Sequence, residues 1–292
     1  MELTNIKEIK SLLEKYDFSF SKALGQNFII NPGICPRMAR EGGATPGVMA
    51  LEIGPGIGTL TKELAKTADK VVAVEIDDRL PPILAETLAE FDNVKIISGD
   101  ALKIDLSEII KTEAEGRDTI LCANLPYYIT SPVILRVLES RLPVKSLTAM
   151  VQKEAAARLC AEPGSREVGA VSVAVRYYSN PKILFHVSAG SFLPKPDVDS
   201  AVIRLDILAK PPVKVEDEAF FFETVKALFS QRRKQIVNCL CGYFRLEKSA
   251  VTDALVGLGI APSRRAEALS MAEFAAIAEG MRGLAQGGCG TL

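Results

Sequence analysis

The 292-residue chain has no tryptophan and a single histidine. None of its six cysteines stands in a C-x-x-C pair. Cys35, Cys122, Cys160, Cys239, Cys241 and Cys289 therefore read neither as a structural zinc site nor as a disulfide framework, and no metal is expected. The lone histidine, His186 in "KILFHVSAG", alternates with apolar residues and reads as a strand residue; a His-dependent triad is disfavoured. Apolar runs of about 18–20 residues, the length needed to cross a bilayer, are missing. The N-terminal stretch "MELTNIKEIKSLLEKYDFSF" lacks the apolar core of a signal peptide. It reads as an amphipathic helix carrying Ile6, Ile9, Leu12 and Leu13. The cytoplasm is the expected location, with no membrane partner.

Excess charge of one sign is also lacking, since the formal net charge is −1. The distribution is less even. Residues 226–265 hold the basic residues Lys226, Arg232, Arg233, Lys234, Arg245, Lys248, Arg264 and Arg265 against only Glu247 and Asp253. Such a region suits a phosphate-contacting face or a solvated helix surface. With 48% hydrophobic residues and 24% charged residues, the chain can bury a substantial core.

From residue 48 strand-like and helix-like segments alternate. "VMALEIG", "KVVAVEID", "VKIISGDAL", "TILCANLPYY" and "SLTAMVQKE" read as strands. "TLTKELAKTA", "RLPPILAETLAEF" and "SPVILRVLES" read as helices between them. The alternation predicts an α/β fold whose mostly parallel sheet carries helices on both faces. "GAVSVAVRYY", "KILFHVSAG" and "SAVIRLDIL" read as further strands finishing the sheet with a hairpin. "AKPPVKVEDEA" reads as a linker. Beyond it, "EAFFFETVKALFSQRRKQIVNCL", "EKSAVTDALVGLG" and "SMAEFAAIAEGMRGL" are helical, and the tail "AQGGCGTL" is expected to be disordered. Two domains follow, at 1–210 and 211–292, the second small and all-helical.

"LEIGPGIGTLT" sets Gly54, Gly56 and Gly58 between a strand and a helix, where backbone can approach a ligand closely. The dinucleotide fingerprint G-x-G-x-x-G fails here, because Thr59 or Thr61 stands where its third glycine belongs. Glu52 precedes the turn. Glu75 ends the second strand and can accept from both ribose hydroxyls. Asp100 ends the third and can accept from an adenine amino group. Asn124 ends the fourth, before the stiff turn Leu125-Pro126-Tyr127. Taken alone, that turn also fits an asparagine bonding local backbone. Four consecutive strands with polar ends point to one crevice and a bound ligand.

In order, "EIGPGIGTLT", "EID", "GDA" and "NLPYY" resemble the motifs of class I S-adenosylmethionine-dependent methyltransferases, whose Rossmann-like fold this implies. "KALGQNFI" (22–29), "SFLPKPDVDSAVIRL" (191–205), "FSQRRKQIVNCL" and "SRRAEALS" are similar to motifs of the ribosomal RNA adenine dimethyltransferases, over residues 20 to 275. The resemblance implies that S-adenosylmethionine contacts Asn27, Ile29, Gly54, Glu75, Asp100 and Asn124. Phe28, Glu52, Gly56, Ile76 and Ala101 of the same motifs complete that set. It also implies that a monomer dimethylates two adjacent adenosines near the 3′ end of 16S rRNA, in the small ribosomal subunit or its precursor, with a role in ribosome biogenesis. S-adenosylhomocysteine is the product. Ile29 departs from the family's frequent leucine.

The residues suit that chemistry. The Asn124 oxygen and the Leu125 carbonyl can accept the hydrogens of adenine N6 and localise its lone pair, with Pro126 stiffening the turn. Tyr127 would stack on the base and Phe192 cover its other face. Tyr128 reads as core. Arg232, Arg233, Lys234, Arg264 and Arg265 would hold RNA phosphates, or pair internally, as Arg265 with Glu267. Rival readings are a resistance-type 23S rRNA adenine methyltransferase, a non-catalytic assembly factor and a nicotinamide-dependent oxidoreductase.

Overall fold

A computed structural model describes residues 1–21, 24–231 and 233–287. It divides into two compact units. One comprises Met1–Ala156 and Asn180–Ile207; the other comprises Ala157–Ser179 and the described residues from Leu208 onward. Residues 157–179 thus cluster with the C-terminal helices, although a division at 210 assigns them to the first domain.

The strands, in chain order, are β1 (Phe28–Ile29), β2 (Val48–Ile53), β3 (Lys70–Glu75), β4 (Val94–Ser98), β5 (Asp118–Asn124), β6 (Ser146–Gln152), β7 (Ser179–Val187), β8 (Phe192–Leu193) and β9 (Ser200–Ile207). Seven form one sheet in the order β4-β3-β2-β5-β6-β9-β7, while β1 and β8 make a short antiparallel ribbon. Strands β4 to β6 through β2 are parallel, and β9 runs antiparallel to β6. In β2 and β3 every residue but the first is buried, the near-continuous apolar pattern of strands covered on both faces. His186 lies on β7, as its alternation predicts.

From β2 the chain winds outward through β3 to β4, then returns to β5 on the other side of β2. This switch of direction opens a crevice beyond the carboxyl ends of β2 and β5. Leu60 and Leu64 of the helix Thr59–Ala65 and Met38 of the helix Ile34–Gly42 share one apolar cluster with Ala50, Ile120 and Cys122. The helix Ile6–Lys15 buries Ile9, Leu12 and Leu13 in a second cluster with Ile83, Leu84 and Leu88, whereas Ile6 is exposed.

In the other unit "AVSVAVRYY" is a helix, Ala170–Tyr178, and not the expected strand. Alternating valines satisfy a strand pattern, but Val173, Ala174, Tyr177 and Tyr178 also fall at helical spacing and are buried. Tertiary packing decides: Tyr177 meets Phe221 at 5.1 Å between ring centroids, and Tyr178 stacks on Phe222 at 5.6 Å. The long helical stretch after the linker is two helices, Glu218–Leu228 and Ile236–Phe244. Between them the sequence of residues 231–235, QRRKQ, has no apolar side chain. The amide of Ile236 donates to the carbonyl of Arg264 (2.9 Å) instead of continuing the first helix. The helix Met271–Gly287 runs into the stretch expected to be disordered. Cys289, in the remainder of that tail, lies outside the described residues. Among the described residues no helix is long and apolar enough to cross a membrane, and no cluster of His, Cys, Asp and Glu could hold a metal.

Candidate active site

A cavity of about 260 Å³ opens at the carboxyl ends of β2, β3 and β5. It brings together Asn27, Phe28, Ile29, Glu52, Gly54, Gly56, Glu75, Ile76, Asp100, Ala101, Asn124, Leu125, Pro126, Tyr127 and Phe192.

The glycine turn forms its floor. Gly56 has φ +59°, and a Cβ there would stand 3.2 Å from the Phe28 ring. Its amide donates to Glu75 Oε2 (3.2 Å), while Glu75 Oε1 accepts from the Asp77 amide (2.9 Å). Burial raises the Glu75 carboxyl above its ordinary range, and these backbone donors oppose the shift. Glu75 is therefore fixed by main-chain bonds that leave acceptor capacity for a ligand.

Glu52 is only 1% exposed. Its Oε2 has no hydrogen-bond partner among the described residues. Burial pushes its carboxyl up to about 8, and the nearby Glu75 charge adds to the shift. The Thr61 hydroxyl beside it opposes the shift, and a buried carboxyl that keeps an oxygen without a hydrogen-bond partner beside a glycine cradle fits a ligand that supplies a polar group. Ile76, at 50% exposure, is an apolar side chain open to the cavity. Asp100 Oδ1 caps the turn after β4 by accepting from the Leu102 amide (2.9 Å), and Oδ2 faces Lys103 Nζ at 3.4 Å.

On the opposite side, Asn124 Nδ2 donates to the Asn27 carbonyl (3.2 Å). The turn beyond closes through the Ile129 amide and the Pro126 carbonyl (3.1 Å). Tyr127 is half-buried, and its hydroxyl lies 2.8 Å from Ser200 Oγ; burial raises its phenol above the usual range. Phe192 is buried on β8, where Ile29 of β1 is its register partner. Tyr128 is not core: it is 58% exposed, at the cavity wall. The turn after Pro126 gives the two adjacent tyrosines different surroundings, with Tyr127 held by Ser200 and Tyr128 against Gly25.

The basic residues belong to the helical unit. Arg233, Lys234 and Arg265 are exposed. Arg264 is engaged internally: its guanidinium pairs with Glu273 and donates to the Ala268 carbonyl. The internal pair thus falls on Arg264 and Glu273, not on Arg265 and Glu267. Arg232 lies outside the described residues, as do Lys22 and Ala23 of the "KALGQNFI" motif.

Sequence reasoning misses Gln26, which lines the cavity, and also Asp77 and Arg79 behind it. Gln26 Nε2 donates to Asp77 Oδ2 (2.7 Å), and Arg79 holds the same carboxylate through Nε (2.8 Å) and Nη2 (2.6 Å). A carboxylate two residues beyond Glu75 in "EIDDRL" was the available signal. Its partner, 51 residues upstream, was not legible.

A family model described as ribosomal RNA adenine dimethylase matches residues 17–282. The chain is 47% identical over 280 residues to ribosomal RNA small subunit methyltransferase A of Alkaliphilus oremlandii, covering 96% of this chain and 98% of that protein. It is 48% identical over 276 residues to the protein of the same name from Geobacillus thermodenitrificans, covering 93% and 94%. Among solved structures, a dimethyladenosine transferase from Plasmodium falciparum superposes with a TM-score of 0.73 at 23% identity, covering 87% of this chain and 97% of that one. The 23S rRNA methyltransferase ErmE gives 0.66 at 24% identity, covering 87% and 99%. At these identities the two structures speak to the fold alone.

Proposed function

The chain belongs to the ribosomal RNA adenine dimethylase family, and from that premise we propose that it transfers methyl groups from S-adenosylmethionine to N6 of two adjacent adenosines near the 3′ end of 16S rRNA. The observation that carries this reading is the pairing of two polar ends in one cavity. A buried carboxylate, Glu75, is held by main-chain donors on one side. An asparagine amide with its nitrogen occupied by Asn27 lies on the other.

The donor, when bound, supplies an electrophilic methyl group on a sulfonium. Glu75 would accept from its ribose hydroxyls and Asp100 from its adenine amino group, with Ile76 against the ring. Glu52, with its unpartnered oxygen, and the Asn27 segment would face the amino-acid end. Gly54 and Gly56 keep the backbone low enough for close approach.

The acceptor side works by orientation. Adenine N6 is a weak nucleophile because its lone pair is delocalised into the ring. The Asn124 oxygen and the Leu125 carbonyl accept its two hydrogens, and the nitrogen becomes more tetrahedral with its lone pair localised. This is positioning and electrostatics, and no strong base is required. The N6 proton becomes acidic as the new bond forms and leaves to water. Tyr127 stacks on the base and Phe192 covers the opposite face. Stacking worth about 1–3 kcal/mol offsets much of the cost of holding an adenine out of its loop. After one transfer N6 keeps a single hydrogen, and the pocket holds a methyl where the other was.

Arg233, Lys234 and Arg265 would contact RNA phosphates. The enzyme works in the cytoplasm as a monomer in this reading. The small subunit is favoured over the large because relatives at 46–48% identity are ribosomal RNA small subunit methyltransferases A. Purified protein, S-adenosylmethionine and unmodified small or large subunits provide the test, with dimethyladenosine counted by mass spectrometry. Dimethyladenosine in small subunits is the expected result. Its absence there, or its appearance only in large subunits, overturns the proposal.

A further inference from the structure

We propose that Gln26 and Asp77 are a positioning pair for methyl transfer, tethering the segment Gly25–Asn27 so that its carbonyl holds the Asn124 amide in the accepting orientation. The proposal rests on the methyl-transfer reading above.

Asp77 is buried at the end of β3, and its main-chain and side-chain groups face different partners. Its amide donates to Glu75 Oε1 (2.9 Å), so it belongs to the shell around the ribose-accepting acid. Its carboxylate accepts from Gln26 Nε2 (2.7 Å). Gln26 is satisfied at both ends, because its Oε1 accepts from the Ser21 amide (2.9 Å). Arg79 completes the anchor. It pairs with Asp77, donates through Nη1 to the Ser19 carbonyl (3.1 Å) and lies 4.6 Å over the Phe18 ring. Phe18, Ser19 and Gln26 are thereby tied to one carboxylate.

One residue beyond Gln26, the Asn27 carbonyl accepts from Asn124. One residue before it, Gly25 has φ +57°, and a Cβ there would stand 3.3 Å from the Pro126 Cβ and 3.4 Å from the Tyr128 ring. Three consecutive residues therefore connect the donor-side acid to the acceptor-side turn. Ile9, Leu12, Leu13 and Phe18 lie in the apolar cluster upstream, Phe28 and Ile29 pair with β8 downstream, and Asn27 Nδ2 donates to the Gly25 carbonyl (3.0 Å). What Gln26 and Asp77 add is the placement of residues 25–27, and hence of the Asn27 carbonyl.

A swap of donor and acceptor separates positioning from bulk stability. Gln26→Glu sets two carboxylates against each other where the hydrogen bond stood. Losing a charged-group bond and gaining repulsion is expected to lower kcat about tenfold or more. Affinity for S-adenosylhomocysteine should change by less than about threefold, because Glu75 keeps both amide donors. Hydrogen exchange at the amides of residues 24–29 should quicken. Gln26→Glu combined with Asp77→Asn moves the carboxylate across the bond at unchanged net charge: the amide nitrogen at 77 then donates to the carboxylate at 26, which also takes Arg79 Nη2, while the amide oxygen at 77 keeps the bond from Arg79 Nε. It should restore kcat and exchange protection to within about threefold of wild type, a coupling that independent structural damage cannot produce. Two results overturn the proposal: a double variant no better than the sum of its singles, or a Gln26→Glu protein whose arm loosens while kcat holds. If wild type methylates no adenosine at all, the methyl-transfer reading fails, and exchange in the single and double variants still judges the tether.

Discussion

The side-chain nitrogen of Asn124 is spent on the main-chain carbonyl of Asn27, 3.2 Å away and 97 residues earlier in the chain. An asparagine amide has one donating and one accepting end. With the donating end occupied, the oxygen is left to receive hydrogens, and an adenine amino group offers only hydrogens. Asn124→Ala removes that acceptor and leaves Leu125 as the sole one. The rate of transfer to RNA should fall by about 10²–10³, the scale of losing one preorganised group at a reacting centre. S-adenosylhomocysteine titration should report a donor site that is still formed. Single-turnover transfer of a labelled methyl group measures the rate, and a variant within about tenfold of wild type would count against the assignment.

Much of this arrangement was legible because strand ends are legible. Glu75 and Asn124 each close an apolar run, Glu52 stands one residue before the end of another, and Asp100 follows one, so a parallel sheet sends all four to one edge. Contacts across long sequence separations were not legible. Nothing in "GQNF" announces that Gln26 reaches Asp77, and nothing in "SRRAE" says which arginine meets Glu273. Neighbouring residues of the same type were hard for the same reason: only the turn after Pro126 buries part of Tyr127 and exposes Tyr128. The helix Ala170–Tyr178 was misread because its valines satisfy both periods, and the aromatic contacts that choose between them come from elsewhere in the chain.

Tyr127 should separate ring from hydroxyl. The hydroxyl is bonded to Ser200 Oγ at 2.8 Å. Tyr127→Phe keeps the stacking face and should lower kcat/KM for RNA by less than about fivefold, the worth of one neutral hydrogen bond. Tyr127→Ala loses the face, and about 1–3 kcal/mol of stacking corresponds to roughly 5–150-fold. Steady-state kinetics on a small-subunit substrate checks both. Equal losses in the two variants would remove stacking from the account.

Glu52 makes stability depend on pH. Burial raises its carboxyl from the usual 4.5 to about 8. The folded protein thus holds the proton more tightly than the unfolded chain. This contribution is fully present below about 4.5 and is lost as pH rises through about 8. Within that window the slope approaches about 1.4 kcal/mol per pH unit for one proton. Glu52→Gln, neutral at every pH, should flatten the descending limb and raise the melting temperature near pH 8. Thermal melts of donor-free protein between about pH 5 and 8 test the sign. Parallel curves for variant and wild type would show that Glu52 is not the titrating group.

Arg264 and Arg265 stand side by side, yet substitutions there should read out in different experiments. Arg264 pairs with Glu273, donates to the Ala268 carbonyl, and offers its own carbonyl to the Ile236 amide. Its side chain ties the start of the last helix to the loop before it. Arg264→Ala should lower the melting temperature by about 2–4 °C, as for a loss near 1 kcal/mol. Glu273→Ala should do the same, and the double variant should lose less than the sum, because the two share one interaction. Arg265 is exposed, and a charge there is available for phosphate. Arg265→Ala should leave the melting temperature unchanged and reduce the slope of log affinity against log salt by about 0.7, one counterion released per contact to single-stranded RNA. RNA binding measured across a salt series distinguishes the two arginines. A lowered salt slope for Arg264→Ala without any loss of stability would mean that the pair with Glu273 opens to let RNA in.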